Sequence, residues 1–367
     1  MRAAWQGLDA RNVWDSHAHL IGTGDSDSGI YVNPRTESLL NPGEYARRLF
    51  FLNAGCVHEE KKGSVDRAYV ERMHNLVDGL IATGGPGFKV LLFAFERAFD
   101  DQGRPDLEHS MFYVPDAYTR DTARKYARTF EWVASIHPYR ADALDALEAA
   151  RKDGAMAVKW LPSAMNIDPA SPRCGRFYEA LSGNRMPLIV HAGEERAVTG
   201  SEKHDYGNPL RLRRALDAGV RVVVAHCASL GEDRDLDKGE NGPYVDSFQL
   251  FERLMKVKNL EGRLFGDISA MTQRNRAGPN LVRVIENGEW HARLLNGSDY
   301  PLPGLMPVFS VDYLVSLKLL PESAAPVLKE IRLHNPLLFD FVLKRNLRSN
   351  GKAFAASVFE TRRFFVR

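Results

Sequence analysis

Cysteine is scarce in this chain: Cys56, Cys174 and Cys227 are the only three among 367 residues. An odd number at such wide spacing makes no disulfide framework and suits a reducing compartment. An excess of one charge is also missing. Lys and Arg number 49 against 47 Asp and Glu, a net +2, which gives no basis for a nucleic-acid or membrane-surface partner. No apolar run approaches the ~20 residues that cross a bilayer. The N-terminal Met1-Arg2-Ala3-Ala4-Trp5-Gln6 lacks the apolar core of a signal peptide, so a cytoplasmic location is expected. No glycine-rich nucleotide fingerprint follows an apolar run. Repeats, low-complexity tracts and linkers are absent too, and residues 1–367 are expected to form a single domain.

What is present is an ordinary globular composition, 44% hydrophobic and 26% charged, arranged as a regular alternation. The first strand ends in Val13-Trp14-Asp15-Ser16-His17-Ala18-His19-Leu20. A turn-rich segment, Gly22–Glu44, reads as a long loop or lid, with a short helix over Glu44–Asn53. Val65, Tyr69, Met73, Leu76 and Leu80 recur at helical spacing. The later strands read as Lys89–Phe95, Glu131–His137, Ala155–Leu161, Pro187–His191, Val220–His226, Arg263–Ser269 and Arg293–Ser298. Helices are expected between them at Tyr118–Phe130, Asp142–Lys152, Pro172–Gly183, Pro209–Ala218, Pro243–Lys256 and Pro279–Asn287, with Asp100–Asp116 a loop. Proline just inside a start and glycine just past an end mark several boundaries. Eight strands, each followed by helical sequence, give an α/β fold: a (β/α)8 TIM barrel with a long loop insertion after strand one and a C-terminal helical extension. The alternative, an open doubly wound sheet, would leave edge strands and a switch-point crevice. Helical sequence continues through Met306–Lys318 and Pro321–Leu343, and the apolar-aromatic tail Gly351–Arg367 is expected on the barrel exterior.

Barrel enzymes place their catalytic groups at the C-terminal ends of the strands. Residues i and i+2 of a strand share a face, so His17 and His19 project together and supply half of a metal site. Lys159 lies on strand four, His191 ends strand five, His226 ends strand six and Asp299 follows strand eight. The barrel reading gathers these distant groups at one rim. Histidine and carboxylate ligands suit a catalytic zinc, which lowers the pKa of its water to about 7. Manganese, iron and nickel also accept such ligands.

The ordered set of His-x-His, strand-four Lys, strand-five His, strand-six His and strand-eight Asp resembles the amidohydrolase superfamily of metal-dependent barrels. The phrases Trp14-Asp15-Ser16-His17-Ala18-His19, Val158-Lys159-Trp160-Leu161-Pro162, Pro187-Leu188-Ile189-Val190-His191-Ala192-Gly193 and Asn296-Gly297-Ser298-Asp299-Tyr300-Pro301 are similar to its amidohydrolase-related branch, from about Asn12 to Phe339. The resemblance implies that His17, His19 and Asp299 bind the more buried of one or two divalent metals. His191 completes that ion in a mononuclear site, or binds a second together with His226 in a binuclear one. In the mononuclear case His226 is free to polarise substrate or shuttle a proton, and Asp299 takes a proton from metal-bound water. Lys159 is either carboxylated, its carbamate bridging two metals, or an ammonium paired with Asp299 or a substrate carboxylate.

The expected function is a metal-dependent hydrolase that uses metal-activated water to cleave an amide, ester or lactone-type bond of a small molecule. The alternative within the same superfamily is a metal-dependent decarboxylase or other lyase acting on an aromatic or dicarboxylic acid; a barrel that binds without catalysis is a third reading. The partner is a small-molecule substrate, and a homo-oligomer is compatible with the sequence. Arg274 and Arg276, after strand seven, could clamp a carboxylate but read first as solvated loop arginines. His137 reads as a packed or loop histidine and Cys227 as core. His58, His74, His109, His204, His291 and His334 read as surface or helix residues, and Asp233–Lys238 as a solvated charged loop.

Overall fold

The computed structural model describes residues 2–57, 63–200 and 203–366. Eight short strands run parallel: β1 (Trp14–His19), β2 (Lys89–Phe93), β3 (Phe130–Val133), β4 (Val158–Trp160), β5 (Leu188–His191), β6 (Val222–Ala225), β7 (Leu264–Asp267) and β8 (Leu294–Leu295). They pair in chain order as a sheet of β1, β2 and β3 and a sheet of β4 to β8. Backbone hydrogen bonds join the two sheets at both ends. At one, the Met156 and Lys159 N–H groups donate to Trp132 and Ala134 C=O (2.9 and 2.8 Å); at the other, Ser16, Asp299 and His19 N–H donate to Asn296, His17 and Tyr300 C=O (3.0, 2.8 and 2.9 Å).

Side chains alternate across each strand, and both faces are buried, as parallel sheets demand. Val90, Leu92, Trp132, Val158, Trp160, Leu188, Val190, Val222 and Val224 pack outward into the large core shared with the helices. Trp14, Leu91, Phe93, Val133, Ala157, Ile189, Val223 and Leu295 form a separate inner cluster. The tail departs from expectation here. Phe364 and Phe365, in the short helix Arg362–Phe365, pack against that inner cluster and so plug the floor beneath the strands instead of lying on the outer layer.

Helix Val65–Ile81 matches the periodic reading and buries Val65, Tyr69, Met73, Leu76 and Leu80. Other boundaries shift. The helix expected over Tyr118–Phe130 is Asp116–Lys125, because Phe130 already belongs to β3. The helix expected from Pro243 starts at Ser247, because Tyr244–Asp246 pairs antiparallel with Glu232–Arg234. That pairing also corrects the Asp233–Lys238 reading. Asp235 is buried against Arg253 (2.7 and 2.9 Å) and Asp237 pairs with Arg213 and Arg253, a braced hairpin instead of a solvated loop. The long connections after β1 and β2 meet in a small pair of strands, Tyr31–Val32 with Phe112–Tyr113. Helical sequence expected over Pro321–Leu343 splits into Ala325–His334 and Pro336–Asn346 at Asn335, whose side chain caps the second helix. Among the described residues, no helix is long and apolar enough to cross a membrane.

Candidate metal centre

The inward parity of Ala157 just before β4, Ile189 of β5 and Phe265 of β7 carries Lys159, His191 and Asp267 inward one step above them. In β1 the pairing register shifts between Asp15 and Ala18. A bulge of this kind re-aims the residues beyond it, so Trp14 and His17, three apart, both face inward, with His19 beside His17. His226 follows the end of β6, at a position whose parity faces outward. There the backbone turns through three successive left-handed residues, His226, Cys227 and Ala228 (φ 54°, 51° and 50°). That turn swings the imidazole into the site and leaves Cys227 buried in the core, its thiol donating to Asp267 C=O. Strain of this kind persists only where its surroundings enforce it.

The tightest convergence involves His17, His19 and Asp299. His17 Nε2 stands 3.2 Å from His19 Nε2 and 3.5 Å from Asp299 Oδ1, and His19 Nε2 is 3.2 Å from the same oxygen. Donors placed about 2.0 Å from a tetrahedral cation stand about 3.3 Å from one another, so this triangle has the edge a divalent ion requires. Asp267 fixes the nitrogens: it accepts from His17 Nδ1 at 2.9 Å, leaving the Nε2 lone pair to face the triangle. Burial, reinforced by the charge of Lys159, holds His17 down at about 4, so the ring is neutral at physiological pH. Asp299 is a carboxylate. Burial opposes its ionisation, but the imidazoles of His226, His19 and His17 hold it well below the usual range. Its strand closes on β1 only because residue 297 is glycine: a Cβ there would meet His17 Cβ at 2.5 Å.

A second group, His17, His226 and Asp267, also has metal-ligating atoms close together. The Nδ1 atoms of both its rings are already committed, that of His17 to Asp267. His226 Nδ1 donates to Ser269 C=O (2.9 Å), and the Ser269 hydroxyl bonds Asp267. We read it as the brace behind the triangle. The His226 ring lies 5.1 Å from His17 and 5.2 Å from His191, and burial keeps its pKa well below the ordinary value. His191 stands apart from the triangle. Its Nε2 faces Glu194 C=O (3.5 Å) and Glu195 Oε2 (3.4 Å), and burial lowers it to about 4. Lys159 is buried, with Nζ 5.2 Å from the Phe93 ring centre and no carboxylate oxygen within 4.0 Å among the described residues. Desolvation brings its pKa to about 8, against the pull of Asp267, Asp299 and Glu195.

All six expected residues line one cleft. Two more line it that the sequence reading left out or discounted, Glu195 and Arg276, and Asp267 stands behind His17. Asp267 closes β7 as His191 closes β5, a strand-end carboxylate that the same rim argument would have found. Glu195 reaches back from the loop after β5. Arg276 corrects an expectation: it is buried in the cleft wall, whereas Arg274 is exposed over the Tyr313 ring (5.4 Å), as a solvated arginine would be. His137 is packed, its Nε2 donating to Met165 C=O (2.9 Å) and its Nδ1 accepting from Tyr139 N–H (3.1 Å). His291 is buried against Phe354, and His58 lies outside the described residues.

The sequence model of a protein family described as amidohydrolase matches residues 86–335, a stretch that includes Lys159, His191, His226 and Asp299 and begins after His17 and His19. Among solved structures, the chain is similar to an uncharacterised TIM-barrel protein from Bordetella bronchiseptica (15% identity over 88% of this chain and 99% of that one, TM-score 0.49). It is also similar to a probable 2-pyrone-4,6-dicarboxylic acid hydrolase from Acinetobacter baumannii (13%, 91% and 97%, TM-score 0.45). A third is 5-carboxyvanillate decarboxylase from Sphingomonas paucimobilis (10%, 91% and 97%, TM-score 0.42). No curated protein matches the chain.

Proposed function

Since the chain belongs to the amidohydrolase family, we propose that it is a metal-dependent hydrolase, a single domain on a closed (β/α)8 barrel, that adds water across an amide, ester or lactone-type bond of a small molecule. The hydrogen bonds joining the two sheets at both ends support closure. The observation that carries the function is the triangle of His17 Nε2, His19 Nε2 and Asp299 Oδ1.

Those three residues would hold the cation, zinc by donor type, with His226 Nε2 and His191 as further donors and Lys159 completing a second site if carboxylated. A divalent ion there supplies Lewis-acid polarisation and lowers the pKa of bound water. The chain's own groups do the rest. Asp299 uses Oδ1 in the triangle, and its Oδ2 has no hydrogen-bond partner among the described residues; this oxygen accepts the proton of the attacking water and returns it to the leaving group. His226 has its Nδ1–H committed to Ser269, so Nε2 acts as a ligand or proton acceptor and not as a donor to substrate. Phe95 and Phe112 line one side of the cleft and Phe93 packs against the His17 ring, an apolar surround that strengthens the charge interactions within.

Elemental analysis of protein never exposed to chelator tests the reading. We expect about one equivalent or more of divalent metal, lost together with hydrolase activity in His17→Ala and Asp299→Ala; less than about half an equivalent in the unaltered chain would defeat it. One observation favours the lyase reading as second: a guanidinium, Arg276, buried in the cleft where a substrate carboxylate would sit. Release of CO₂ from a panel of aromatic carboxylates separates the two.

A further inference from the structure

The cleft over the donor triangle is narrow, with about 100 Å³ of free space. That admits a reacting group and little more, since small-molecule sites usually enclose roughly 300–1,000 Å³. The cleft opens on a groove of about 750 Å³, and the two share Arg196, Ala197, Gln273, Asn275 and Leu302 as walls. Leu302 ties the groove to the chemistry. Its N–H donates to Asp299 C=O (3.0 Å), so one turn carries both the carboxylate of the triangle and the lip of the groove. Beside it, Arg274 N–H donates to Val308 C=O (2.9 Å) and joins the connection after β7 to the one after β8.

A face of helix Pro42–Ala54 forms another wall. Gly43, Ala46, Arg47 and Phe50 follow one another at i, i+3, i+4 and i+7, a single stripe of the helix, and all four line the groove. Gly43 and Ala46 are too small to fill it, while Phe50, Pro307 and Val308 give it apolar surface. The next residue, Phe51, lines the cleft, and its ring meets that of Phe50 edge to face at 5.6 Å. Aromatic surface is thus continuous from the cleft outward. Glu195, Arg196 and Val198 of the cleft also border a more polar space of about 370 Å³. There Arg35 is already paired with Glu108 (3.0 Å) and His109 with Asp106 (2.7 Å). The groove is the larger of the two, and its apolar walls reward a ligand that covers them.

We propose that the substrate is elongated and amphipathic: its reacting group alone enters the cleft, and an apolar body, an alkyl chain or aromatic ring, lies in the groove between helix Pro42–Ala54 and the connections after β7 and β8. The proposal rests on the hydrolase reading only for what the reacting group undergoes, and binding tests the apolar body without turnover.

The test measures, by titration calorimetry on the full chain, dissociation constants for straight-chain hydroxamates from acetohydroxamate to octanohydroxamate and for the matching primary amides. A hydroxamate head chelates a divalent ion and an amide head does not. The ratio between the two at one length therefore reports the metal centre, and the slope with length reports the groove. Affinity should change little over the first members, which the cleft holds, and then rise about three- to fourfold per methylene as the tail enters the groove. Ala46→Trp, at an exposed position on the helix stripe, should weaken octanohydroxamate binding by about tenfold or more and leave acetohydroxamate binding unchanged. Phe50→Ser should lower the slope as well. Val327→Trp, exposed on helix Ala325–His334 and not a wall of the groove, should alter neither. If Ala46→Trp does not fold, Gly43→Phe decides in its place, since a Cβ at residue 43 meets nothing within 4 Å. The proposal is overturned if affinity ignores length, or if the rise with length survives both groove variants. A flat series together with a dimer that Ala46→Trp splits in sedimentation assigns the groove to a second copy and equally overturns it. Hydroxamates that bind no better than amides, with the rise intact, defeat the hydrolase reading alone. Hydroxamates that bind tighter than amides at every length, with no rise, defeat this proposal alone.

Discussion

Asp267 touches the donor triangle only through His17, yet it decides which nitrogen of that ring faces the triangle. Partners of this kind are worth roughly 10–100-fold in metal affinity. We expect Asp267→Asn to weaken zinc binding by about that factor, read by competition with a chromogenic chelator, with little change in circular dichroism. His137 makes a prediction about pH. Burial holds it at about 3 against an ordinary 6.5, so the folded chain leaves it neutral where the unfolded chain takes up a proton. Stability therefore falls as pH drops below about 6.5, and goes on falling until pH nears 3. His137→Gln should remove one proton from that dependence, about 1.4 kcal/mol per pH unit in urea denaturation; an unchanged slope would refute it. At this scale the sequence is informative wherever a polar residue ends an apolar strand, because strand parity alone aims it. Lys159 and His191 are legible that way; His17 and His19 are legible as a pair on one face, but the register shift in β1 is what turns that face inward. Arg276 and Glu195 are not, since the path of a loop decides their burial and no periodicity records it.

Between elements, the join of β1 and β8 carries the triangle, and a third element braces it. Lys344 of helix Pro336–Asn346 donates to Gly297 C=O (2.6 Å) and to Asp340 Oδ2 (2.7 Å), all three being buried. From the other side, Asp15 accepts from the N–H groups of His17 (3.1 Å) and Ser298 (2.8 Å). Removing one partner of a buried pair strands the other charge, so Lys344→Met should cost about 3–5 kcal/mol of stability. The double variant Lys344→Met/Asp340→Leu should recover most of that loss in chemical denaturation. Failure of the double variant to recover would show that the bond to Gly297, and not charge balance, is what matters. The central strands were readable as apolar runs but come out shorter, because β4 and β8 hand over to turns within two or three residues. The pairing of Tyr31–Val32 with Phe112–Tyr113 was not readable, since two-residue strands carry no alternation to detect.

For the molecule as a whole, metal binding and folding are linked. A ligand that binds only the folded chain stabilises it by about 3 kcal/mol at a hundredfold excess over its Kd. We expect exhaustive chelation to lower the melting temperature by a few degrees and added zinc to restore it; identical melting curves would mean that the triangle binds nothing tightly. The eightfold alternation made the architecture legible in the sequence. The plugged floor was not, because nothing in Phe364 and Phe365 distinguishes an inner contact from an outer one. The triangle itself draws on residues 17 and 299, near opposite ends of the polypeptide. On the ribosome the first two imidazoles emerge long before the carboxylate that completes the set, so a nascent chain exposes an unfinished chelate for most of its synthesis. A metal held by the triangle could be inserted only after Asp299 has been made, and a chain stopped between His226 and Asp299 would carry the histidines of the site without the carboxylate that completes it.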